Sequence, residues 1–270
     1  MIHVLKKYLH LLLSFFRASA IADMEYRLNF VLKILTDIIW YVAQISVFQV
    51  LFNHTRSISG WTLESTRVFM GVLFVTDSLW MLFFSENLDR LSDKVRKGEL
   101  DLILVKPINA QLMMSTQKMS PAYLGNFLLT LSWLTWALAQ VSNSSAGPII
   151  WSRMLLLLVL IPCALAIIYS IKFFFSATAI IFTRAENINY IFYQLYRLGT
   201  RPDTIYPMWL RYVVLTILPV GFVASVPSRI LLGESPILLL LSAIAVAIVA
   251  VFLTTHYWRY TLRFYSSASS

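Results

Sequence analysis

Six apolar runs, at 34–52, 68–84, 119–141, 154–183, 208–228 and 236–255, decide what this chain can fold into. A soluble core needs no runs of such length, whereas about 20 apolar residues carry a helix across roughly 30 Å of hydrocarbon. Lipid offers no partner to a backbone N–H or C=O, so only helices and closed barrels cross it. The alternating ten-residue segments of a membrane barrel are missing, and the runs therefore read as helices. Composition agrees: 59% of the residues are hydrophobic and 13% charged, against about 25% charged in a soluble domain. The expected fold is an all-α polytopic membrane protein, one domain over residues 1–270.

The net charge of +9 does not point to nucleic acid, because Lys and Arg collect on the cytoplasmic loops of any membrane protein. Cys163, alone and inside an apolar run, can form neither an internal disulfide nor a cysteine metal cluster. Near the N-terminus, His3, Lys7, His10, Ser14 and Arg17 recur every three or four residues, opposite Leu5, Leu9, Leu12 and Phe16. That spacing predicts an amphipathic helix over 1–25 lying in the membrane interface.

With the N-terminus placed in the cytoplasm, the charge-poor loops 53–67 and 142–148 fall outside, and the charged segment 86–107 and the tail after His256 fall inside. Each assignment follows the positive-inside bias. Region 184–230 admits two arrangements: a loop followed by a span at 208–228, or a short span at 187–200 followed by a broken hairpin over 203–230. Pro202, Pro207, Pro219 and Pro227 favour the second, since each removes a backbone donor within a helix.

The segment 86–107 sets Glu86, Asp89, Asp93, Glu99 and Asp101 against Arg90, Lys94, Arg96, Lys97 and Lys106. A mere connector under the positive-inside rule needs few acidic residues, so a docking role is expected, with Leu100, Leu102, Ile103, Leu104 and Val105 as apolar anchors. Charges also enter the spans. Lys33 and Asp37 lie four apart and share a face, and Asp77 lies at a similar depth, so Lys33 is a candidate partner for either. Lys172 interrupts 154–183 and is expected to snorkel, with Phe173, Phe174 and Phe175 facing lipid. Tyr190, Tyr193 and Tyr196, with Gln194 and Arg197, form a polar aromatic cluster that either lines a pathway or sits at the interface.

No phosphate-binding G-x-x-x-x-G-K-[ST], no H-E-x-x-H and no nucleophile elbow is present, so neither nucleotide hydrolysis nor a catalytic or metal site is expected here.

Three segments carry a family resemblance: Arg96-Lys-Gly-Glu-Leu-Asp-Leu-Ile-Leu-Val-Lys-Pro-Ile108; Ile205-Tyr-Pro-Met-Trp-Leu-Arg211 with Leu218-Pro219 and Val226-Pro227; and the tail Arg263-Phe-Tyr-Ser-Ser-Ala-Ser269. The openings Phe16-Arg-Ala and Glu25-Tyr-Arg-Leu-Asn-Phe30 agree. The chain resembles the permease subunits of type-2 ATP-binding-cassette exporters, in a small bacterial branch that carries no nucleotide-binding domain. The resemblance implies six transmembrane helices, an N-terminal interface helix, a cytoplasmic coupling helix and an external re-entrant hairpin before the last helix. It places ATPase coupling on Arg90, Asp93, Lys94, Arg96, Lys97, Gly98, Glu99, Leu100, Asp101 and Leu102. The implied partners are two copies of a cytosolic P-loop ATPase, which holds the ATP and Mg, a second permease chain, identical or homologous, and membrane lipids. The implied location is the bacterial inner membrane, with both termini cytoplasmic. A membrane-embedded lipid-modifying enzyme and a non-catalytic scaffold are the rival classes.

Overall fold

A computed structural model describes residues 2–25, 27–142, 153–182, 187–234 and 236–265. The uncharged loop 143–148, the end of the fourth run at Arg184 and the serine-rich tail from Ser266 lie outside the described residues. The described chain is helical, without a named strand: α1 (Ile2–Glu25), α2 (Arg27–His54), α3 (Leu63–Trp80), α4 (Glu86–Asp89), α5 (Leu91–Arg96), α6 (Glu99–Leu104), α7 (Ala110–Thr116), α8 (Tyr123–Val141), α9 (Leu157–Thr178), α10 (Ile188–Tyr196), α11 (Met208–Thr216), α12 (Ser225–Leu232) and α13 (Pro236–Thr261). Five stretches are long and apolar enough to cross a membrane: Leu28–His54, Leu63–Arg96, Tyr123–Val141, Leu157–Thr178 and Ile237–Phe264. The protein is a multi-pass, membrane-embedded helical bundle.

The second stretch is the axis. It starts on a capping box, in which the Ser65 N–H donates to the Thr62 hydroxyl at 3.3 Å and the Thr62 N–H to the Ser65 hydroxyl at 2.8 Å. Such a cap satisfies helix-end donors that have no partner within the helix. Most of α3 is buried, from Thr66 through Trp80. α8 packs along one side of it, while α9 and α13 pair side by side. The α3–α8 approach is tight at Gly71, where an added Cβ would sit 3.0 Å from the Leu134 backbone Cα. Gly71→Ala is therefore expected to cost about 1–3 kcal/mol by overpacking, read as a lower melting midpoint in detergent. α2 and α13 keep broad apolar faces outward, with Leu28, Ile39, Ile237 and Leu238 exposed, as helices against lipid must.

Below Trp80 the axis does not give way to a free loop. A π turn over Met81–Ser85 leads directly into α4 and α5, so the first half of the 86–107 segment continues the central helix. Gly98, at φ +72, makes the left-handed turn that a side chain would strain and sends α6 back. The third apolar run also forms later than expected: its helix begins at Tyr123, and 118–121 is non-helical.

The run 208–228 does not form one helix. It breaks into α11, a 3-10 turn at Val220–Phe222 and the start of α12. Asp203, with a fully buried side chain, staples this region. It receives the Arg211 Nε–H at 2.8 Å, lies 3.5 Å from Arg229 Nη1, and accepts the Ser225 hydroxyl. The Asp203 N–H donates to Ser225 Oγ at 3.1 Å. The chain leading into it runs alongside α3 in the opposite sense. Asn189 and Tyr193 meet Asp89, Tyr196 meets Asp77, and Thr204 receives the Trp61 indole N–H at 2.8 Å.

Candidate functional site

The charged end of the axis carries two arrangements with different work to do, one facing inward and one facing outward. The inward one is a polar knot around α4. On one side Glu86 gathers cations and a hydroxyl. Lys33 lies 3.7 Å away, Arg90 3.4 Å, Lys118 is in ion-pair contact, and the Ser120 hydroxyl donates at 2.8 Å. Asn87 brackets the Lys118 peptide, donating to its carbonyl at 2.5 Å and accepting its N–H at 2.8 Å. The Leu82 carbonyl within the π turn accepts the Ser120 N–H at 3.0 Å. Ser19 of α1 accepts the Met119 N–H at 3.0 Å, and Asp23 lies 3.5 Å from Lys33.

On the other side Asp89 faces α9 and α10. Its carboxylate lies 2.5 Å from the Lys172 ammonium and accepts from the Tyr193 hydroxyl at 2.9 Å and the Ser85 hydroxyl at 3.0 Å. Lys172 also donates to Asn189 Oδ1 at 2.7 Å and lies 4.8 Å from the Phe192 ring centre. Asn189 returns a bond to the Asp89 carbonyl at 2.8 Å, and Ser176 donates to the Leu88 carbonyl at 3.1 Å. A cation over an aromatic face is favourable where it is desolvated, and Lys172 is 0% exposed.

These contacts correct four expectations. Lys172 does not snorkel; it is enclosed because Asp89 and Asn189 meet its head inside the bundle. Phe173 does not face lipid but is buried against Tyr169 and Trp258, whereas Phe174 is 43% exposed. Lys33 pairs with Asp23 and Glu86 rather than with Asp37 or Asp77. Asp37 instead accepts from Asn126 at 2.7 Å, and the buried Asp77 accepts from the Tyr196 hydroxyl at 3.4 Å. The tyrosine cluster does not act as one lining: Tyr193 and Tyr196 point inward as anchors, while Tyr190 and Arg197 are exposed and Gln194 is half-buried. At i, i+4 and i+7 the last three share one helix face.

The outward arrangement is the surface of α5 and α6. Leu100 and Ile103 are buried within this chain and so are not presented to a partner. Leu102 and Val105 are 71% and 85% exposed, and Leu104 is partly so. On the same segment Arg90, Asp93, Arg96, Lys97, Glu99 and Lys106 are exposed; Lys94, Gly98 and Asp101 are half-buried. Arg96 and Asp93 pair on the surface at 3.3 Å, and Asp101 lies against Tyr265 of the tail. An apolar centre inside a polar rim is the anatomy of a protein interface.

A model of the ABC-2 family transporter proteins matches residues 38–269, which takes in the axis, the charged segment, the broken run 208–228 and the last helix. The chain belongs to the ABC-2 transporter family. No curated protein and no solved structure is found to match it. As an ABC-2 protein it is a transport permease of the membrane rather than a catalytic enzyme, and ABC-2 membrane proteins generally work with ATPase subunits. Sequence reasoning about this permease missed the inward roles of Glu86, Asn87, Asp89, Asn189 and Asp203. The spacing of Leu88, Leu91 and Val95 was the available signal, since it carries the buried face of the helix past the apolar boundary.

Proposed function

We propose that this chain is the transmembrane subunit of an ABC exporter of the bacterial cytoplasmic membrane, both termini cytoplasmic, driven by a separate P-loop ATPase. Two such ATPases supply the ATP and Mg, and a second permease chain, identical or homologous, completes the pathway. The observation that carries this reading is the exposed Leu102–Val105 cluster on α6, which turns back at Gly98 from the helix that continues the central axis. A motor engaging that surface pushes on the core of the bundle through α5 and α4. The charged rim sets orientation more than affinity.

In this reading the course from Asn189 to Thr204 beside α3 is the fifth crossing, giving six in all, and 203–230 is the re-entrant hairpin on the far side. Irregular backbone at membrane depth is tolerated when packed inside protein. This one is so packed: an added Cβ at Gly199 would meet the Val220 carbonyl at 2.8 Å. The segment 1–25 lies along the membrane surface, its Leu9, Leu13 and Ile21 exposed for lipid. Tyr190, Gln194 and Arg197 face the pathway.

Affinity purification of the chain from its native membrane tests the reading by whether a nucleotide-binding subunit comes with it. Truncating a central interface anchor costs about 2 kcal/mol or more. Leu102→Asp with Val105→Asp is therefore expected to reduce ATPase capture about tenfold or more. The permease's own melting should stay nearly unchanged, because both side chains are exposed. Full capture by the double variant would remove this surface as the docking site.

A further inference from the structure

We propose that the turn Glu86–Asp89 is a two-branch joint that divides the motion of the coupling helices between the two halves of the permease, with Glu86, Asp89 and Lys172 as its positioning residues. This rests on the ATPase-driven reading above and deepens it.

The joint is set apart by its backbone. A π turn at Met81–Ser85 precedes it, and Arg90, at φ −93 and ψ 0, follows it outside regular helical geometry. A π turn inserted in a helix is rare and recurs at functional sites. Between these two irregularities lies a four-residue unit tied directly to four other parts of the chain and, through Lys33 and the 118–120 segment, to a fifth. Glu86 and Asn87 hold the N-terminal half: Lys33 of α2, the peptide of Lys118 and the hydroxyl of Ser120 ahead of α8, with α1 joined through Ser19 and Asp23. Leu88 and Asp89 hold the C-terminal half: Ser176 and Lys172 of α9, Asn189 and Tyr193 of α10. Only Asn87 and Leu88 separate the two carboxylates, yet they reach disjoint sets of partners.

Stability alone does not call for such a device. A buried ion pair is often matched or exceeded in stability by an apolar pair of similar volume. What the pair supplies is a directional link: α5 and α6 cannot tilt without carrying α4, and α4 cannot move without drawing on α9 and α10 through Lys172. The Glu86 side does the same for α1, α2 and α8.

The test uses the permease–ATPase complex in liposomes, with Cys163→Ala as background and one reporter cysteine at the end remote from the charges. Ser57→Cys follows α2 and reports the N-terminal branch; Arg201→Cys follows α10 and reports the other. The readout is the rate of labelling by a membrane-impermeant maleimide, with ATP plus vanadate and without nucleotide. Nucleotide should change the rate at both reporters in the parent complex. Coupling energies between sites typically correspond to about 5–150-fold, so Asp89→Asn is expected to shrink the response at position 201 about fivefold or more while sparing position 57. Glu86→Gln should do the reverse. The double variant Asp89→Asn/Lys172→Met removes the unpaired buried charge and so should stay folded, yet it should still lose the response at 201. A merely structural pair predicts that this stable double variant responds like the parent. Retention of both responses in it, loss of both in either single variant, or no response in the parent complex would overturn the joint. An ATPase that never accompanies the permease would instead sink the underlying reading.

Discussion

Asp89→Asn is expected to lower the stability of the folded permease by about 3 kcal/mol, at the lower end of what removing one partner of a buried ion pair costs. The low end applies because the Lys172 ammonium would keep Asn189 and the ring of Phe192 as neighbours. It remains a large effect because Lys172 is itself 0% exposed, while the Asp89 carboxylate that meets it is 30% exposed. Adding Lys172→Met should recover most of the loss, since the apolar side chain ends the unpaired charge and fills much of the same space. Thermal unfolding of the purified protein in detergent, comparing parent, single and double variants, checks both. A single variant as stable as its parent would mean that the pair is wetter than its enclosure implies.

Asp203→Asn should act just as strongly but locally. It removes the carboxylate that binds Arg211, Arg229 and Ser225 together, with its side chain fully enclosed. The penalty for stranding buried charges is about 3–5 kcal/mol. Here part of it is relieved, because Arg229 keeps Glu234 at 2.6 Å and Arg211 is 37% exposed. The expected result is local opening over 203–232 while α3, α8 and α9 hold. A cysteine at Ser228, buried in the parent, should become labelled about a hundredfold faster in the variant, as about 3 kcal/mol of lost local stability implies. Uniform loosening of the whole bundle would contradict a local staple.

The long helices were legible because lipid enforces a simple rule on composition, and the runs around Leu73, Leu134, Ile168 and Val246 obey it. The break in the run 208–228 was legible in its prolines. What could not be read was where charges meet. Lys33, Asp37 and Asp77 look like neighbours by depth, but depth along a helix does not say which face turns to which neighbour. Lys172 looks like a snorkelling residue because its partner, Asp89, stands 83 positions earlier, in a segment whose charge seemed to belong to water. For the same reason the charge pattern did not show that 86–96 prolongs the central helix. A charged stretch is a solvated loop only when nothing folds back to neutralise it, and here Lys118 and Lys172 do, with Asn189 hydrogen-bonded beside Lys172. Leu100 and Ile103 failed as partner contacts for a related reason, since an amphipathic α6 must first cover its own chain.

The account turns on what touches Val105. A photo-crosslinking amino acid placed there in the intact membrane, irradiated and analysed by mass spectrometry, asks this directly. The account predicts an adduct with a nucleotide-binding P-loop chain, lost when Leu102 is changed to Asp. Adducts only to lipid, or none at all while the ATPase is present, would contradict it.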